Sequence, residues 1–387
     1  MSEWRECKLS DMADIVPGFA FKGEHFGDTG TVVIKIKDIV PPIIDLRGAQ
    51  RVDVSHYSLQ KLEKFRLCKG DFVVAMTGAT IGKVGRLKEN GEAYINQRVA
   101  KIAPKNPADW EFVYYCLVDS DFGDFVQNNI DSHSAQENIS GTSIGRYPIN
   151  SPSPKEQKAI ASVLSSLDDK IDLLHRQNKT LEAMAETLFR QWFVEEAQED
   201  WEEGVFSEEF DFTMGQSPPG SSFNEEGIGM PMFQGNADFG FRFPSQRVYT
   251  TEPTRLAQVR DTLISVRAPV GAQNMAQTEC CIGRGVAAFR YQHNNDYYTY
   301  TYFKLSSLMR EITMFNDEGT VFGSISKTDF EKIATRVPPP SLIEKFEETV
   351  SPINDKVITN CGQIKSLEKL RDSLLPKLMS GEVRVGI

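Results

Sequence analysis

Two segments of the chain carry apolar residues at spacings that alternate between four and three, the heptad pattern of coiled-coil helices. The first run comprises Ile160, Leu164, Leu167, Ile171, Leu174, Asn178, Leu181, Ala185, Leu188 and Trp192. The second comprises Phe346, Val350, Ile353, Val357, Asn360, Ile364, Leu367, Arg371, Leu374 and Leu378. Such long runs predict two helices that pack together as a coiled coil, rather than two separate amphipathic helices on local cores.

One asparagine interrupts each apolar run, and together the two asparagines predict the direction of packing. Asn178 occupies an a position and Asn360 a d position, and a layers face d layers when two helices are antiparallel. Pairing the two asparagines also places Leu181 opposite Val357. A buried asparagine lowers stability but fixes the register when it finds a partner. We therefore predict an antiparallel coiled coil with Asn178 opposite Asn360 near its middle.

The chain also repeats itself, which is typical of a duplicated domain. The matched segments are Trp4 and Phe26 with Trp201 and Phe223, Pro17-Gly18 with Met214-Gly215, 70–76 with 260–266, Arg98-Val99 with Arg284-Gly285, Ile139-Ser140 with Ile325-Ser326, and 169–171 with 355–357. In each copy a segment with short strands and a helix comes first, a proline-rich turn follows, and a long helix ends the copy.

This order of elements predicts an α+β protein with an internal duplication and pseudo-two-fold symmetry: two similar α/β domains joined by two long antiparallel helices. We expect the first domain at 1–152, the central helix at 153–197, the second domain at 198–338 and the C-terminal helix at 339–387. The predicted strands are Thr31–Ile39, Asp71–Met76, Tyr94–Ile102, Asp261–Val266 and Val286–Arg290, and the predicted domain helices are Asp109–Val118 and Asp296–Met309.

Length and composition point to a soluble protein of several domains. The 387 residues exceed one ordinary domain, the mean hydropathy is −0.35, and no run of about 18 apolar residues occurs. The six cysteines are scattered without a Cys-x-x-Cys pair, so we expect reduced thiols rather than disulfides or a zinc site. Because the N-terminus is polar, we expect no export signal and a cytoplasmic protein.

The net charge of −11 is distributed unevenly, and two segments are basic. Residues 61–105 contain 10 basic and 4 acidic side chains, and residues 242–290 contain 7 and 3. Phosphate contacts act within about a Debye length of ~10 Å, so local patches matter more for DNA binding than the total charge. The nine acidic residues between Glu195 and Asp211 are expected to lie away from DNA.

No set of residues in the sequence predicts catalysis, a metal or a nucleotide cofactor. The run Gly78-Ala79-Thr80-Ile81-Gly82-Lys83-Val84 is one residue shorter than a phosphate-binding loop and has Val84 where magnesium would need a hydroxyl. The closest match to an adenine-methyltransferase motif, Ser217-Pro218-Pro219-Gly220, lacks the aromatic residue that stacks on the flipped base. The chain is therefore expected to be non-catalytic.

Several stretches resemble the specificity subunits of type I restriction–modification systems. These are 154–160 and 167–171 at the start of the central helix, 188–193 at its end, 374–382 at the end of the C-terminal helix, 77–82 with 95–98 in the first domain, and 265–271 with 282–285 in the second. The second helix departs from the first in having Ile343-Glu344-Lys345 where the first has Glu156-Gln157-Lys158.

The resemblance implies that each globular domain is a target-recognition domain reading one half of a bipartite, asymmetric DNA site. The coiled coil would set the gap between the halves. Two modification subunits, which use S-adenosylmethionine to methylate adenine, and two restriction subunits, which use ATP and magnesium to translocate and cleave DNA, are the implied partners. No cofactor or metal is expected in this chain.

The candidate DNA-binding residues are those whose side chains donate to base edges or phosphates in the basic, glycine-rich segments. In the first domain they are Lys35, Lys37, Thr77, Thr80, Lys83, Arg86, Gln97 and Arg98. In the second they are Gln234, Asn236, Arg267, Gln273, Asn274 and Arg284. Surface solvation or turn stabilisation is the alternative role for each of them.

Three other functions remain open from the sequence. A stand-alone DNA-binding regulator would favour a symmetric target, which two diverged domains do not fit. A coiled-coil adaptor that never binds nucleic acid explains the heptads but not the basic, glycine-rich segments. A concealed nuclease or methyltransferase is the third.

Overall fold

The computed structural model describes residues 4–130, 137–314 and 323–386. Its contacts divide the chain into two compact units, Met1–Ile171 with Ser366–Ile387, and Asp172–Lys365. Both boundaries fall inside the long helices, so each unit contains one globular domain together with part of each helix.

The globular part of the first unit combines thirteen strands with five short helices among its described residues. In chain order these are β1 Arg5–Lys8, α1 Leu9–Met12, β2 Ala13–Pro17, β3 Phe26–Gly27, β4 Thr31–Ile34, β5 Ile39–Val40, β6 Ile43–Ile44, β7 Gln50–Val52, α2 Leu59–Leu62, β8 Arg66–Leu67, β9 Phe72–Ala75, β10 Val84–Arg86, β11 Ala93–Ile95, β12 Val99–Pro104, α3 Trp110–Val118, α4 Ser120–Asn128, α5 Gly141–Ile144 and β13 Pro148–Ser151. They form a six-stranded sheet in the order β2-β12-β9-β10-β6-β5, a five-stranded sheet in the order β3-β7-β4-β11-β8, and the pair β1-β13.

Strand β9 is buried on both faces and separates two hydrophobic cores. Successive side chains of a strand point to opposite faces. Phe72 and Val74 therefore pack with the helices α3 and α4, while Val73 and Ala75 pack with the five-stranded sheet. An unbroken apolar run such as 72–75 is the pattern expected of a strand covered on both sides.

The long helices are α6 Pro154–Arg190, of 37 residues, and α11 Pro340–Ser380, of 41 residues. Each unit separately shows that they are antiparallel. In the first unit Ile160 and Leu164, near the start of α6, share a core with Leu375 and Leu378, near the end of α11. In the second unit the ring of Phe189, at the end of α6, lies 5.6 Å from that of Phe346, near the start of α11.

The second unit repeats the plan of the first with fewer strand pairs. Its remaining elements are β14 Glu202–Val205, α7 Phe206–Glu209, β15 Phe210–Met214, β16 Phe223–Asn224, β17 Met230–Phe233, β18 Tyr249–Thr250, β19 Leu256–Ala257, β20 Thr262–Ser265, β21 Gln273–Met275, β22 Cys280–Ile282, β23 Val286–Tyr291, α8 Tyr298–Ser307, α9 Met309–Met314, α10 Lys327–Glu331 and β24 Ala334–Val337. The sheets are β15-β23-β20-β21, β16-β18-β17-β22-β19 and the pair β14-β24. Strand β20 alternates between two cores as β9 does, with Ile264 in one and Leu263 in the other.

The predicted fold class is confirmed: two similar α/β domains accompany two long antiparallel helices. Every residue of the two predicted heptad runs is buried or half-buried. Asn360 Nδ2 donates to Asn178 Oδ1 at 2.9 Å, so the structure brings together the two asparagines that the predicted register pairs. Asn178 Nδ2 also donates to Cys361 Sγ at 3.5 Å.

Some predicted elements are broken where a turn competes with the strand or helix. The predicted strand Thr31–Ile39 ends at Ile34, because a 3-10 turn follows at Ile36–Asp38. The predicted strand Tyr94–Ile102 is two strands, since residues 96–98 form a turn between β11 and β12. The predicted helix Asp296–Met309 is likewise divided between α8 and α9.

The asparagine pair gives a test of the helix register. Replacing Asn178 by Leu leaves the buried amide of Asn360 without its side-chain partner, which costs about 1–3 kcal/mol in the free energy of unfolding. Replacing both asparagines by Leu removes the unpaired group and should recover most of that loss. Urea denaturation of the full chain measures both effects. Equal stability of N178L and the unmodified chain would contradict the pairing.

Candidate nucleic-acid interface

In each domain a pair of parallel strands brings two strand carboxyl ends to the same sheet edge. In the first domain the pair is β4 and β11, and in the second it is β17 and β22. The residues that follow the two strands are therefore neighbours. These are Lys35 and residues 96–98 in the first domain, and Gln234 and residues 283–285 in the second.

The first-domain cleft is an open, basic depression of about 480 Å³ at this edge. It is lined by Phe21, Gly23, Phe26, Lys35, Ile36, Gln50, Asn96, Gln97 and Arg98. The Lys35 ammonium lies 4.2 Å from the centroid of the Phe26 ring and donates to the Gln50 side chain. Gln97 and Arg98 are exposed. The cleft thus presents two cations and several amides above an aromatic floor.

A buried carboxylate shapes the loop beneath this cleft. Asp38 accepts a hydrogen bond from the backbone N–H of Lys35 at 2.8 Å, which turns the chain sharply at the end of β4. Burial raises the pKa of the Asp38 carboxyl, and that backbone hydrogen bond and the charge of Lys37 oppose the rise. Lys37 itself is exposed and donates to the Gly48 carbonyl at 3.3 Å.

The second-domain cleft occupies the equivalent edge and measures about 460 Å³. It is lined by Phe223, Asn224, Glu225, Met232, Gln234, Gly235, Ala237, Asp238, Arg247 and Val248. Asp238 is buried and accepts from Arg247 at 3.0 Å, so both charges are paired. Gln234 is exposed and Asn236 half-buried. Acidic as well as basic groups line this cleft, in contrast to the first.

A glycine-containing turn lies beside each cleft. Met76 N–H donates to the Arg98 carbonyl at 2.9 Å, which places the turn 77–83 next to the first cleft. Thr77 and Thr80 have hydroxyl oxygens that are buried without a hydrogen-bond partner among the described residues, and Lys83 is exposed. In the second domain Val266 N–H donates to the Gly285 carbonyl at 2.9 Å.

These backbone bonds correct the repeat by one residue. The sequence match pairs Arg98 with Arg284, whereas the two carbonyls that accept equivalent hydrogen bonds belong to Arg98 and Gly285. Arg284 therefore corresponds to Gln97. Arg284 is exposed, and its Nε lies 3.3 Å from Ser217 Oγ, while Arg267 is exposed on the adjacent turn. The two domains thus present different side chains at equivalent places.

Three predicted residues have side chains engaged inside the domains rather than presented at the clefts. The Arg86 guanidinium forms an ion pair with Glu111. Gln273 Nε2 donates to the Tyr302 carbonyl at 2.7 Å. Asn274 is fully buried and donates to a backbone carbonyl, that of Gly240, at 2.7 Å.

The sequence and the fold of this chain are both similar to those of type I restriction–modification specificity subunits. The profile described as "Type I restriction modification DNA specificity domain" matches residues 1–183. A protein of Methanocaldococcus jannaschii assigned as the specificity subunit of type I restriction enzyme MjaX is 29% identical over 99% of this chain and 94% of its own length. The MjaIX specificity subunit of the same organism is 26% identical, with the same two coverages.

Residues 1–183 thus match the type I specificity profile, and the whole chain is similar to specificity subunits of type I restriction enzymes. The crystal structure of the type I restriction–modification S subunit from M. genitalium has the same fold, with a TM-score of 0.62 at 20% identity. That similarity covers 97% of this chain and 96% of the M. genitalium chain.

Several cleft residues were not identified from the sequence. Asn96 and Gln50 line the first cleft, and Asp238 and Arg247 line the second. Asn96 lies within the segment 95–98 that carries the family resemblance, so its place in that segment was an available signal. Asp38 and Asp238 follow their strands, β4 and β17, at similar distances. This recurrence in the sequence was an available signal for the turns after both strands.

Within residues 4–130, 137–314 and 323–386, no group of three or more histidine, cysteine or acidic side chains could hold a metal ion. Among the same residues, no helix is both long enough and apolar enough to cross a lipid bilayer.

Glycine is required directly after the second strand of each domain, β2 or β15, where the chain crosses this edge. An added Cβ at Gly18 would lie 2.3 Å from the Asn96 carbonyl oxygen, and one at Gly215 would lie 2.1 Å from that of Gly283. The obstacle in both cases is backbone at the cleft, which cannot rotate away. Glycine therefore recurs at this place in the repeat because two chain segments approach each other closely there.

Substituting these glycines tests the packing of the edge. G18A and G215A should each lower the free energy of unfolding by about 1–3 kcal/mol, because the overlap forces the backbone to shift. G23A and G220A are matched controls, since an added Cβ at either position would meet nothing within 4 Å. Thermal unfolding of the four variants gives the comparison. A G215A chain as stable as G220A would refute the close approach.

Proposed function

We propose that this chain is the DNA-recognition subunit of a type I restriction–modification enzyme, with each domain reading one half of a bipartite, asymmetric site. The observation that carries the proposal is the recurrence of an exposed, donor-rich cleft at the same parallel-strand edge of both domains. The profile match over residues 1–183, the similarity to the two M. jannaschii specificity subunits and the M. genitalium fold support it.

The chemistry of the clefts fits base and phosphate recognition. Arg and Lys donate to guanine O6 and N7, and Asn and Gln bond adenine at N6 and N7. Lys35, Gln97 and Arg98 supply such groups in the first cleft, and Gln234 supplies one in the second. Asn236 and the exposed Arg284 are not in that lining, but they follow the two parallel strands that end at this edge. Lys83 and Arg267 are exposed on the neighbouring turns, where cationic groups suit phosphate contacts. We assign no phosphate contact to Thr77 and Thr80, because their hydroxyl oxygens are buried.

The two clefts differ in charge, and this difference favours an asymmetric target. The first combines Lys35 with Arg98 and has no acidic residue in its lining. The second includes Glu225 and Asp238 alongside Arg247. A carboxylate accepts from the cytosine amino group but repels phosphate, so equivalent places would read different bases.

The long helices would set the spacing between the two half-sites and bind the partner subunits. By resemblance to the family, the partners are two modification subunits and two restriction subunits. S-adenosylmethionine would bind to the former, and ATP with magnesium to the latter. We assign no catalytic step and no cofactor to this chain, and we keep the four segments 1–152, 153–197, 198–338 and 339–387 as its functional parts. We further propose that the assembly acts in the cytoplasm.

Co-expression with its modification subunit followed by genome-wide mapping of methylated adenine tests this function. A split, asymmetric motif should appear only when both proteins are present. R98A should relax the first half of the motif, and R284A the second. Discrimination at the affected base pair should fall about tenfold or more, because a bidentate contact is lost.

The paired arginine variants control for each other, since each should leave the other half unchanged. A motif that persists when this chain is deleted would refute the recognition role and favour a coiled-coil adaptor. A palindromic motif bound tightly by this chain alone would instead favour a DNA-binding regulator.

A further inference from the structure

A fully buried arginine joins the second domain to the central helix. Arg242 has 0% side-chain exposure and lies in the loop 236–245, next to the second cleft. Its Nη2 donates to Glu182 of α6 at 3.0 Å. The guanidinium carbon lies 3.9 Å from the centroid of the Tyr302 ring. Arginine is almost never fully buried unless it is paired, so this position is under a strong constraint.

The first domain shows what the arginine adds, because it contains the same loop without it. Asp45 N–H donates to the Asp38 carbonyl at 2.8 Å, and Ser245 N–H to the Asp238 carbonyl at 2.7 Å, so the loops align residue by residue. Pro42 is then the counterpart of Arg242. Proline has no side-chain group that could form an ion pair.

The two loops are held by different means. In the first domain the loop forms strands β5 and β6, and β6 pairs with β10. In the second domain the loop forms no strand, and its one isolated bridge joins Phe239 to Pro244. One backbone bond is common to both loops: Met275 N–H donates to the Arg242 carbonyl at 2.9 Å, as Arg86 N–H donates to that of Pro42 at 3.0 Å. The described side chains that bind the second loop are Asn274, bonded to both backbone groups of Gly240, Arg247, bonded to Asp238, and Arg242 itself. Side chains thus supplement that backbone bond where the first loop has strand pairing.

The arginine is held in one orientation at an energetic cost. Its Nε and Nη1 are buried without a hydrogen-bond partner among the described residues. Burial raises the pKa of the Glu182 carboxyl, while the charge of Arg242 opposes the rise. A well-packed apolar pair often gives equal or greater stability than a buried ion pair, so stability alone does not account for this one. An ion pair is directional, whereas an apolar contact is not.

We propose that Arg242 is a positioning residue that holds the loop 236–245 against the central helix and so fixes the base-reading side chains of the second cleft. Asn236 and Asp238 open this loop, and Arg247 follows it directly. The consequence for DNA rests on the proposed function, whereas the holding of the loop does not. The role is confined to the second domain, because Pro42 takes its place in the first.

The decisive variant removes both charges together. R242M leaves the half-buried Glu182 without its partner, so it destabilises the fold as well as freeing the loop. The double variant R242M/E182M replaces the ion pair by an uncharged, apolar contact, which does not fix the orientation of the loop. R336M is the matched control, since Arg336 is exposed in the same unit and its contact to Lys304 Nζ uses the backbone carbonyl.

Two readouts separate this proposal from the proposed function. Hydrogen exchange on the full chain reports the loop without DNA, and backbone amides in residues 239–245 should exchange about tenfold faster in R242M/E182M. Methylation mapping reports recognition, and discrimination in the second half-motif should fall about tenfold while the first half stays unchanged. R242K, which keeps the charge but loses the planar fork, should give an intermediate loss.

Each outcome decides one of the two questions. Faster exchange with a relaxed second half supports the positioning role. Wild-type exchange and wild-type discrimination in the double variant overturn it, and so does an equal loss in both halves. If the unmodified chain directs methylation to no split motif, the proposed function is wrong. Hydrogen exchange still tests whether Arg242 holds the loop. If the double variant does not fold, R242K decides by the same two measurements.

Discussion

The antiparallel register of α6 against α11 is the constraint on which the rest of the molecule depends. A heptad seam of similar apolar residues could slide by seven positions with little change in buried area. The hydrogen bond between Asn178 and Asn360 distinguishes one register from the others, because any slip would bury two unpaired amides. The polar layer therefore sacrifices some stability so that one arrangement of the two helices is selected.

Each domain is attached to its part of the helices through a tyrosine–aspartate contact, and the register determines where that contact falls. In the first unit Tyr115 donates to Asp168 of α6 at 2.8 Å, and Arg371 of α11 binds the same carboxylate at 3.0 Å. In the second unit Tyr298 donates to Asp355 of α11, and Arg260 Nη2 lies 3.5 Å from Asp355 Oδ1. Burial raises the pKa of both tyrosines, so both hydroxyls stay protonated donors at neutral pH.

The sequence predicts the elements whose signal is local and leaves out those that depend on tertiary pairing. Heptad spacing over 160–192 and 346–378 is a strong periodic pattern, and it gives the helices, their direction and the opposed asparagines. Two- and three-residue strands such as β5 or β11 carry too few residues for a period to be recognised, and they exist because the neighbouring strand supplies their hydrogen bonds. The turn 96–98 was missed for the same reason, since β-prone residues surround it.

In the candidate site, too, the sequence shows which side chains have suitable chemistry, but it does not show where the fold places them. Side-chain chemistry and glycine content locate segments that reach the clefts, and of the residues nominated in this way Lys35, Arg98 and Gln234 lie in the cleft linings. Arg86 and Asn274 have the same chemistry, and only the fold shows that their partners are Glu111 and the Gly240 backbone.

The role of Arg242 was not predicted, because nothing local in the sequence indicates that its partner is a glutamate 60 positions earlier. Its counterpart in the first domain is Pro42, which has no side-chain group that could form an ion pair. After a duplication the two copies keep the strand edge that places the clefts, while the loops beside those clefts change their means of support. A domain that holds its loop largely by side chains, with one backbone bond from Met275 to Arg242, can change those side chains without disturbing the core. Divergent base recognition in two related domains requires that kind of freedom.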